Sequence, residues 1–179
     1  MTEVGKVYGE ALYDLAQAEE LSGQILEQLN ALEESFRQEP GFLRLLTSPN
    51  LSKQERCDMI GSSFEHLLHP YILNFLKLLT ERGYARFFPD CCAAFRERYH
   101  LDHNILPVTA VTALALTPAQ SAKLTEKLCA LTGKQIALSN RVDPDILGGV
   151  RLDYDGKQMD DTLAHRLDTI RAMLSSTVL

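Results

Sequence analysis

The sequence has no apolar run approaching the roughly eighteen residues that a membrane-spanning helix needs, so no transmembrane segment is expected. Nor does it carry an excess of positive charge. Its 18 lysines and arginines are outnumbered by 24 aspartates and glutamates, for a formal net charge of −6, and a chain without a basic field is not drawn to nucleic acid or to anionic lipid. No glycine-rich dinucleotide fingerprint, no phosphate loop ending in glycine-lysine and no serine elbow between glycines occurs, which removes sequence support for a nucleotide fold or a nucleophilic serine. The first twenty residues carry acids where a secretory signal has a basic region and an apolar core, so the expectation is a protein made and kept in the cytoplasm. The four cysteines, Cys57, Cys91, Cys92 and Cys129, show no CxxC spacing, and Cys91 and Cys92 lie in a helical pattern that points neighbours about 100° apart. They read as buried free thiols, with no disulfide, metal or other cofactor implied.

What the 179 residues do have is helical periodicity. Val4, Val7, Tyr8, Ala11, Leu12 and Leu15 recur at helix spacing, and Leu21, Ile25, Leu29, Leu32 and Phe36 continue in a second helix until Pro40-Gly41. A short apolar run from Phe42 to Leu46 ends at Ser48-Pro49. Ser52 with Glu55 then makes a capping box that opens a helix carrying Met59, Ile60 and Phe64. Pro70 suits the first turn of a helix whose residues Tyr71, Ile72, Phe75, Leu76, Leu78 and Leu79 are so apolar that it must be central. Phe88, Cys92, Phe95 and Tyr99 line one face of a last helix, with Arg96, Glu97 and Arg98 on the other.

Beyond Asn104 the period changes to that of a strand, with Val108, Ala110, Thr112 and Leu114 alternating among β-branched neighbours. Thr117, Pro118 and Gln120 combine N-cap, first-turn proline and capping-box partner ahead of Leu124, Leu128 and Leu131, and Gly133 stops that helix. Ile136, Leu138 and Val142 form a further strand. Val150, Leu152 and Tyr154 then alternate up to an Asp155-Gly156 hairpin turn, and Asp161 stands as the N-cap of a closing helix through Leu163, Leu167, Ile170 and Leu174. The expected fold is mostly α: an N-terminal six-helix bundle over 1–104, followed by a small α/β (α+β) C-terminal domain over 105–179, with no Gly/Ser linker marking the boundary.

Asp153, Asp155, Asp160 and Asp161 crowd one hairpin, and paired carboxylates can do acid-base work or hold a divalent cation. Each already has a local task on a strand, in a turn or at a cap, so structure is the better reading. His66, His69, His100 and His103 lack an accompanying cysteine or carboxylate set and read as surface or capping residues. With no catalytic constellation, the remaining signal is amphipathic helices, which serve packing and partner binding. On the first helix the apolar arc is wider than one core requires, and along one edge of it Gly5, Gly9, Leu12 and Ala16 fall together, small enough to admit another helix. Tight packing inside the bundle and a groove for a partner both fit that edge.

The frame Asp143-Pro144, Ile146-Leu147-Gly148-Gly149-Val150-Arg151, Gly156, Asp160-Asp161 and Leu167 resembles the C-terminal signature of the δ subunit of F-type ATP synthases, a family that includes the mitochondrial oligomycin-sensitivity-conferring subunit. Within it Pro144, Gly148, Gly149, Gly156 and Asp161 form a structural signature. Tyr8-Gly9-Glu10-Ala11-Leu12, Phe42-Leu43 with Ser48-Pro49 and Lys53, and Asn74-Phe75-Leu76 with Leu78-Leu79 are similar to further family segments. Gly9 departs from the usual alanine, as does Arg82-Gly83-Tyr84 from the usual turn. The resemblance implies a non-catalytic stator subunit. In this family the groove between the first and fifth helices receives the N-terminal helix of the head's α subunit, which decides the ambiguous edge in favour of a groove and gives Gly5, Tyr8, Gly9, Leu12, Ala16, Phe75, Leu78 and Leu79 as expected partner-binding residues. It also implies that the C-terminal domain grips the peripheral-stalk b subunits. Membrane association, at the cytoplasmic face of the bacterial inner membrane, would come only through the complex. The alternatives are a helical adaptor for another partner and a carboxylate-based hydrolase.

Overall fold

Pro40, Pro70 and Pro118 each stand at the first turn of a helix in the computed structural model, where a missing amide hydrogen costs nothing because that group has no partner inside the helix. The structure describes residues 1–48, 50–146, 148–154 and 156–160. The protein is mostly helical, with a small four-stranded sheet following the helical region. The elements run α1 (Glu3–Ala18), α2 (Ser22–Gln38), α3 (Pro40–Leu46), α4 (Lys53–Phe64), α5 (Pro70–Glu81), a short turn of 3-10 helix (Ala85–Phe87) and α6 (Phe88–Asp102). They continue with β1 (Ile105–Thr112), α7 (Pro118–Thr132), β2 (Gln135–Val142), β3 (Val150–Tyr154) and β4 (Lys157–Asp160). The closing helix expected from Asp161 to Leu174 lies outside the described residues, as do Leu147 and Asp155.

The chain divides into two compact units, Met1–Tyr99 and His100–Leu179. In the first, α2 buries the stripe read from the sequence, Ile25, Leu29, Leu32 and Phe36, and α5 buries Ile72, Leu73, Phe75, Leu76, Leu79 and Thr80, half of its twelve residues. Phe36 is the hub of an aromatic cluster: its ring lies 5.5 Å from that of Phe42, 6.2 Å from Phe64 and 5.3 Å from Phe88, so one side chain joins α2, α3, α4 and α6. The polar face of α6 is not left to water throughout, because Arg96 reaches α2 and donates to Asn30 Oδ1 at 2.6 Å and to Glu33 Oε2 at 2.7 Å. Cys91 and Cys92 are buried free thiols; loss of water raises the Cys91 pKa to about 12 and the Cys92 pKa further, so both keep their protons.

In the second unit β1 and β2 run parallel, joined by α7, while β3 lies antiparallel on the other side of β1 and pairs with β4 in a hairpin, for the order β2-β1-β3-β4. The strand expected to reach Leu114 stops at Thr112, whose hydroxyl donates to the Leu114 carbonyl at 2.7 Å and turns the chain out. Asn140 fastens this corner. Its amide nitrogen donates to Ala110 O at 2.8 Å and to Thr112 Oγ1 at 2.9 Å, and its oxygen accepts from Leu116 N at 2.9 Å. Past β2 a turn at Asp143–Ile146 leads to Gly149, at φ 90°, and Gly156 in the hairpin sits at φ 68°, a region that a side chain disfavours. The capping box at α7 is closed from both sides: Gln120 N donates to Thr117 Oγ1 at 3.3 Å and Thr117 N donates to Gln120 Oε1 at 2.9 Å. Thr117→Ala should therefore cost the second unit about 1 kcal/mol, measured as a lower urea midpoint with an unchanged slope. A midpoint equal to the wild type's would show that water replaces the cap without loss.

Candidate functional site

Two edges of α1 carry apolar or small residues, and the structure assigns them opposite tasks. The edge with small residues faces inward: Gly5, Gly9, Leu12 and Ala16 are buried together with Tyr13. A Cβ built on Gly5 would collide with Asp90 Cβ, and one on Gly9 would collide with the Cys91 carbonyl oxygen and come within 2.7 Å of Ala94 Cβ. The two glycines are thus the seam through which α1 lies against α6. Thr2 closes the seam at its end, donating its amide and hydroxyl to Asp90 Oδ2 at 2.8 and 2.6 Å while its hydroxyl oxygen accepts from Gly5 N at 3.2 Å. The Thr2 hydroxyl and then its amide hold the Asp90 carboxyl below the ordinary value. A lowered folded-state pKa gives stability that is present above the usual carboxylate range and lost as pH falls through the lowered value. Nothing in the sequence reading singled out Thr2.

The other edge stays open. Val7, Leu15 and, on α5, Leu78 are 59%, 45% and 40% exposed, and Ala11 and Asn74 are exposed as well. Between α1 and α5 lies an open groove of about 370 Å³. On α1 it is lined by Tyr8, Ala11, Leu12 and Leu15, and on α5 by Tyr71, Asn74, Phe75 and Leu78. Both sets repeat at i, i+3, i+4 and i+7, so each helix offers one two-turn face. Leu12 and Phe75, at 5% and 7% exposure, form the floor, and Leu15 and Leu78 form the rim. The tyrosines at one end of each set are held by neighbours: Tyr8 packs edge-on against Tyr84 with ring centroids 5.8 Å apart, and Tyr71 packs against His69 at 4.9 Å. His69 is fixed in turn as the N-cap of α5, with Nδ1 accepting from Tyr71 N at 3.3 Å and its amide donating to Gln28 Oε1 at 2.7 Å.

Of the residues expected at the partner site, Tyr8, Leu12, Phe75 and Leu78 line this groove. Gly5 and Gly9 do not, because α6 occupies the space beside them, and Ala16 and Leu79 are fully buried in the core. Ala11, Leu15, Tyr71 and Asn74, which the sequence did not single out for a partner, line the groove as well. The signal that finds them is the equal spacing of the two lining sets, 8, 11, 12, 15 and 71, 74, 75, 78.

Other candidate sites carry less. A hollow of about 460 Å³ beside α4 and the end of α5 is larger but polar, lined by Lys53, Gln54, Cys57, Glu81 and Arg82. Burial and the Glu81 carboxylate raise the Cys57 pKa, so its sulfur stays a protonated, poor nucleophile. On the sheet, Asp153 lies 3.4 Å from Arg151 Nε and 3.5 Å from Arg141. The Arg151 pair is close enough to attract yet not aligned for a hydrogen bond, since neither Arg151 Nε nor Asp153 Oδ1 has a bonded partner among the described residues. Asp153 is thus engaged between two arginines across the sheet, a structural task rather than a catalytic one. Asp155, Asp161 and the side chain of Asp160 lie outside the described residues, and no helix among those described is long and apolar enough to cross a membrane.

The comparison with known proteins agrees along nearly the whole chain. The family model for the ATP synthase delta (OSCP) subunit matches residues 4–174. The ATP synthase subunit delta of Alkaliphilus oremlandii is 31% identical over 172 residues, covering 96% of each chain, and that of Desulfitobacterium hafniense (strain Y51) is 29% identical over the same span and coverage. A chain in the mitochondrial ATP synthase hexamer of Toxoplasma gondii superposes with a TM-score of 0.74 over 97% of this chain and 98% of that one, which at 18% identity shows a shared fold. With a match spanning both units, this chain belongs to the ATP synthase delta (OSCP) subunit family.

Proposed function

We propose that this protein is the non-catalytic peripheral-stalk subunit that ties the catalytic head of an F-type ATP synthase to its membrane-anchored b subunits. Rotary catalysis passes torque through a central shaft, and a head free to turn with the shaft would waste the motion. The N-terminal domain, working as a six-helix bundle over 1–104, holds the N-terminal helix of the head's α subunit. The C-terminal domain, over 105–179, grips the b subunits, and two contacts on one chain raise the avidity of a joint under load. The protein works as a peripheral component at the cytoplasmic face of the bacterial inner membrane, and no nucleic acid takes part.

The observation that carries this reading is the groove between α1 and α5, an apolar face that family membership gives a reason to leave uncovered. Its two matched four-residue faces fit a third helix laid between them, with large side chains at helical spacing entering over Leu12 and Phe75. Leu78→Asp tests it. The rim position is 40% exposed, so the fold should lose about 1 kcal/mol or less, while an aspartate sealed under a partner helix without a counter-charge should weaken binding roughly a hundredfold. Calorimetric titration with a peptide of the head α subunit's N-terminus, beside a thermal melt, measures both. A folded variant that binds the peptide as tightly as the wild type places the partner elsewhere.

A further inference from the structure

Apart from the hydroxyls of the two tyrosines at its end, the groove has one polar side chain in it, Asn74. Ala11 on α1 and Asn74 on α5 hold the same i+3 position in their respective faces, and the other positions on both faces are filled by aliphatic or aromatic side chains. Asn74 is exposed, and among the described residues its amide makes no hydrogen bond to the protein. It neither caps a helix nor braces a neighbour, in contrast to Asn140 and Asn30, whose amides are both engaged. As the chain stands, water satisfies the two N–H donors and the carbonyl of this side chain.

We propose that Asn74 sets the register of the helix that occupies the groove, by requiring that helix to present a hydrogen-bonding side chain at one position between its apolar anchors. The inference rests on the groove reading above. An apolar helix slid by one turn still buries its side chains on aliphatic or aromatic surface at most of the lining positions, so hydrophobic burial alone separates neighbouring registers weakly. Covering Asn74 removes its water, and a register that leaves the amide unpaired binds roughly five- to hundredfold more weakly than one that pairs it. A single asparagine at a core position selects register in coiled coils by the same means. The occupant is therefore an amphipathic helix with large aliphatic residues at i, i+3 or i+4 and i+7, and with one amide, hydroxyl or carboxylate facing Asn74.

The test uses the full chain, the N-terminal peptide of the head's α subunit carrying a nitroxide at one end, and the variants Asn74→Leu and Asn74→Ala. Calorimetry gives affinity, and the pattern of paramagnetic broadening along α1 and α5 gives register. The wild type should bind with broadening confined to one end of the groove. Both variants should stay folded, bind with affinity within about tenfold of the wild type, and spread the broadening to both ends, the mark of a mixture of registers. The alanine variant separates loss of the amide from obstruction by leucine: a spread with leucine alone overturns the inference, and so does a single unchanged register in both variants. Absence of binding by the wild-type chain overturns the groove reading itself, a different outcome from either.

Discussion

Gly9→Trp is expected to leave the helical unit without a cooperative thermal transition. The first side-chain atom at this position already meets the Cys91 carbonyl oxygen and lies 2.7 Å from Ala94 Cβ, so no rotamer of a larger residue relieves the contact, and α1 has to move off α6. That movement strips cover from Leu12, Tyr13 and Ala16 and separates the Tyr13 and Phe95 rings, which lie edge to face at 5.3 Å. Re-exposing large side chains costs about 1.5–3 kcal/mol each, which quickly reaches the ~5–15 kcal/mol that a typical domain has in total. Gly9→Ala is the graded version. Overpacking near the upper end of its usual range, about 3 kcal/mol, is offset by roughly 1 kcal/mol of helix propensity, which leaves a net loss near 2 kcal/mol and a melting temperature lower by ~8–16 °C. Gly41→Ala, where a Cβ would meet nothing within 4 Å, should be neutral or slightly stabilising by contrast. Circular-dichroism melts of the three variants decide the matter, and a Gly9→Trp chain that melts like the wild type would mean α1 does not lie on α6 through its glycines.

Phe36→Ala should be the most damaging truncation in the same unit that leaves the backbone conformation alone. The ring is 4% exposed and touches aromatic partners contributed by α3, α4 and α6, so its removal opens a cavity where four helices meet and none of them can collapse into it without leaving another contact. Buried Phe→Ala changes cost about 3–5 kcal/mol, which for a unit of this size lowers the melting temperature by roughly 12–40 °C. Val7→Ala, a truncation at a 59% exposed position on α1, should fall within about 0.5 kcal/mol of wild type. If the two variants melt together, the aromatic hub is not where the stability resides.

The elements were legible because their signals are local. A first-turn proline, a threonine or serine three residues before a glutamine or glutamate, and apolar residues at i, i+3 and i+4 act within one or two turns, and Ser52 and Thr117 close the capping boxes their spacing implied. The change to strand period after Asn104 is local in the same sense, and β1 begins at Ile105. Family membership was legible too, since the glycines and prolines that carry it mark backbone geometry that no other residue supplies at low cost.

What the sequence by itself determined, then, was most of the helices and strands among the described residues, the capping boxes of α4 and α7, and the fact that α1 has more apolar face than one core can use. Which edge of that face goes inside was decided only in the tertiary structure. Small residues at Gly5 and Gly9 permit a close helix without saying whose, and the choice fell to α6 because Asp90, Cys91 and Ala94, some eighty residues along the chain, supply the surface that fits them. Tyr8, Ala11 and Leu15 were thereby left facing Tyr71, Asn74 and Leu78 across an open groove. Periodicity fixes which side chains share a face, because that is set by the 100° step of one helix. It cannot rank the neighbours competing for the face, because their contact depends on the path of all the chain between them.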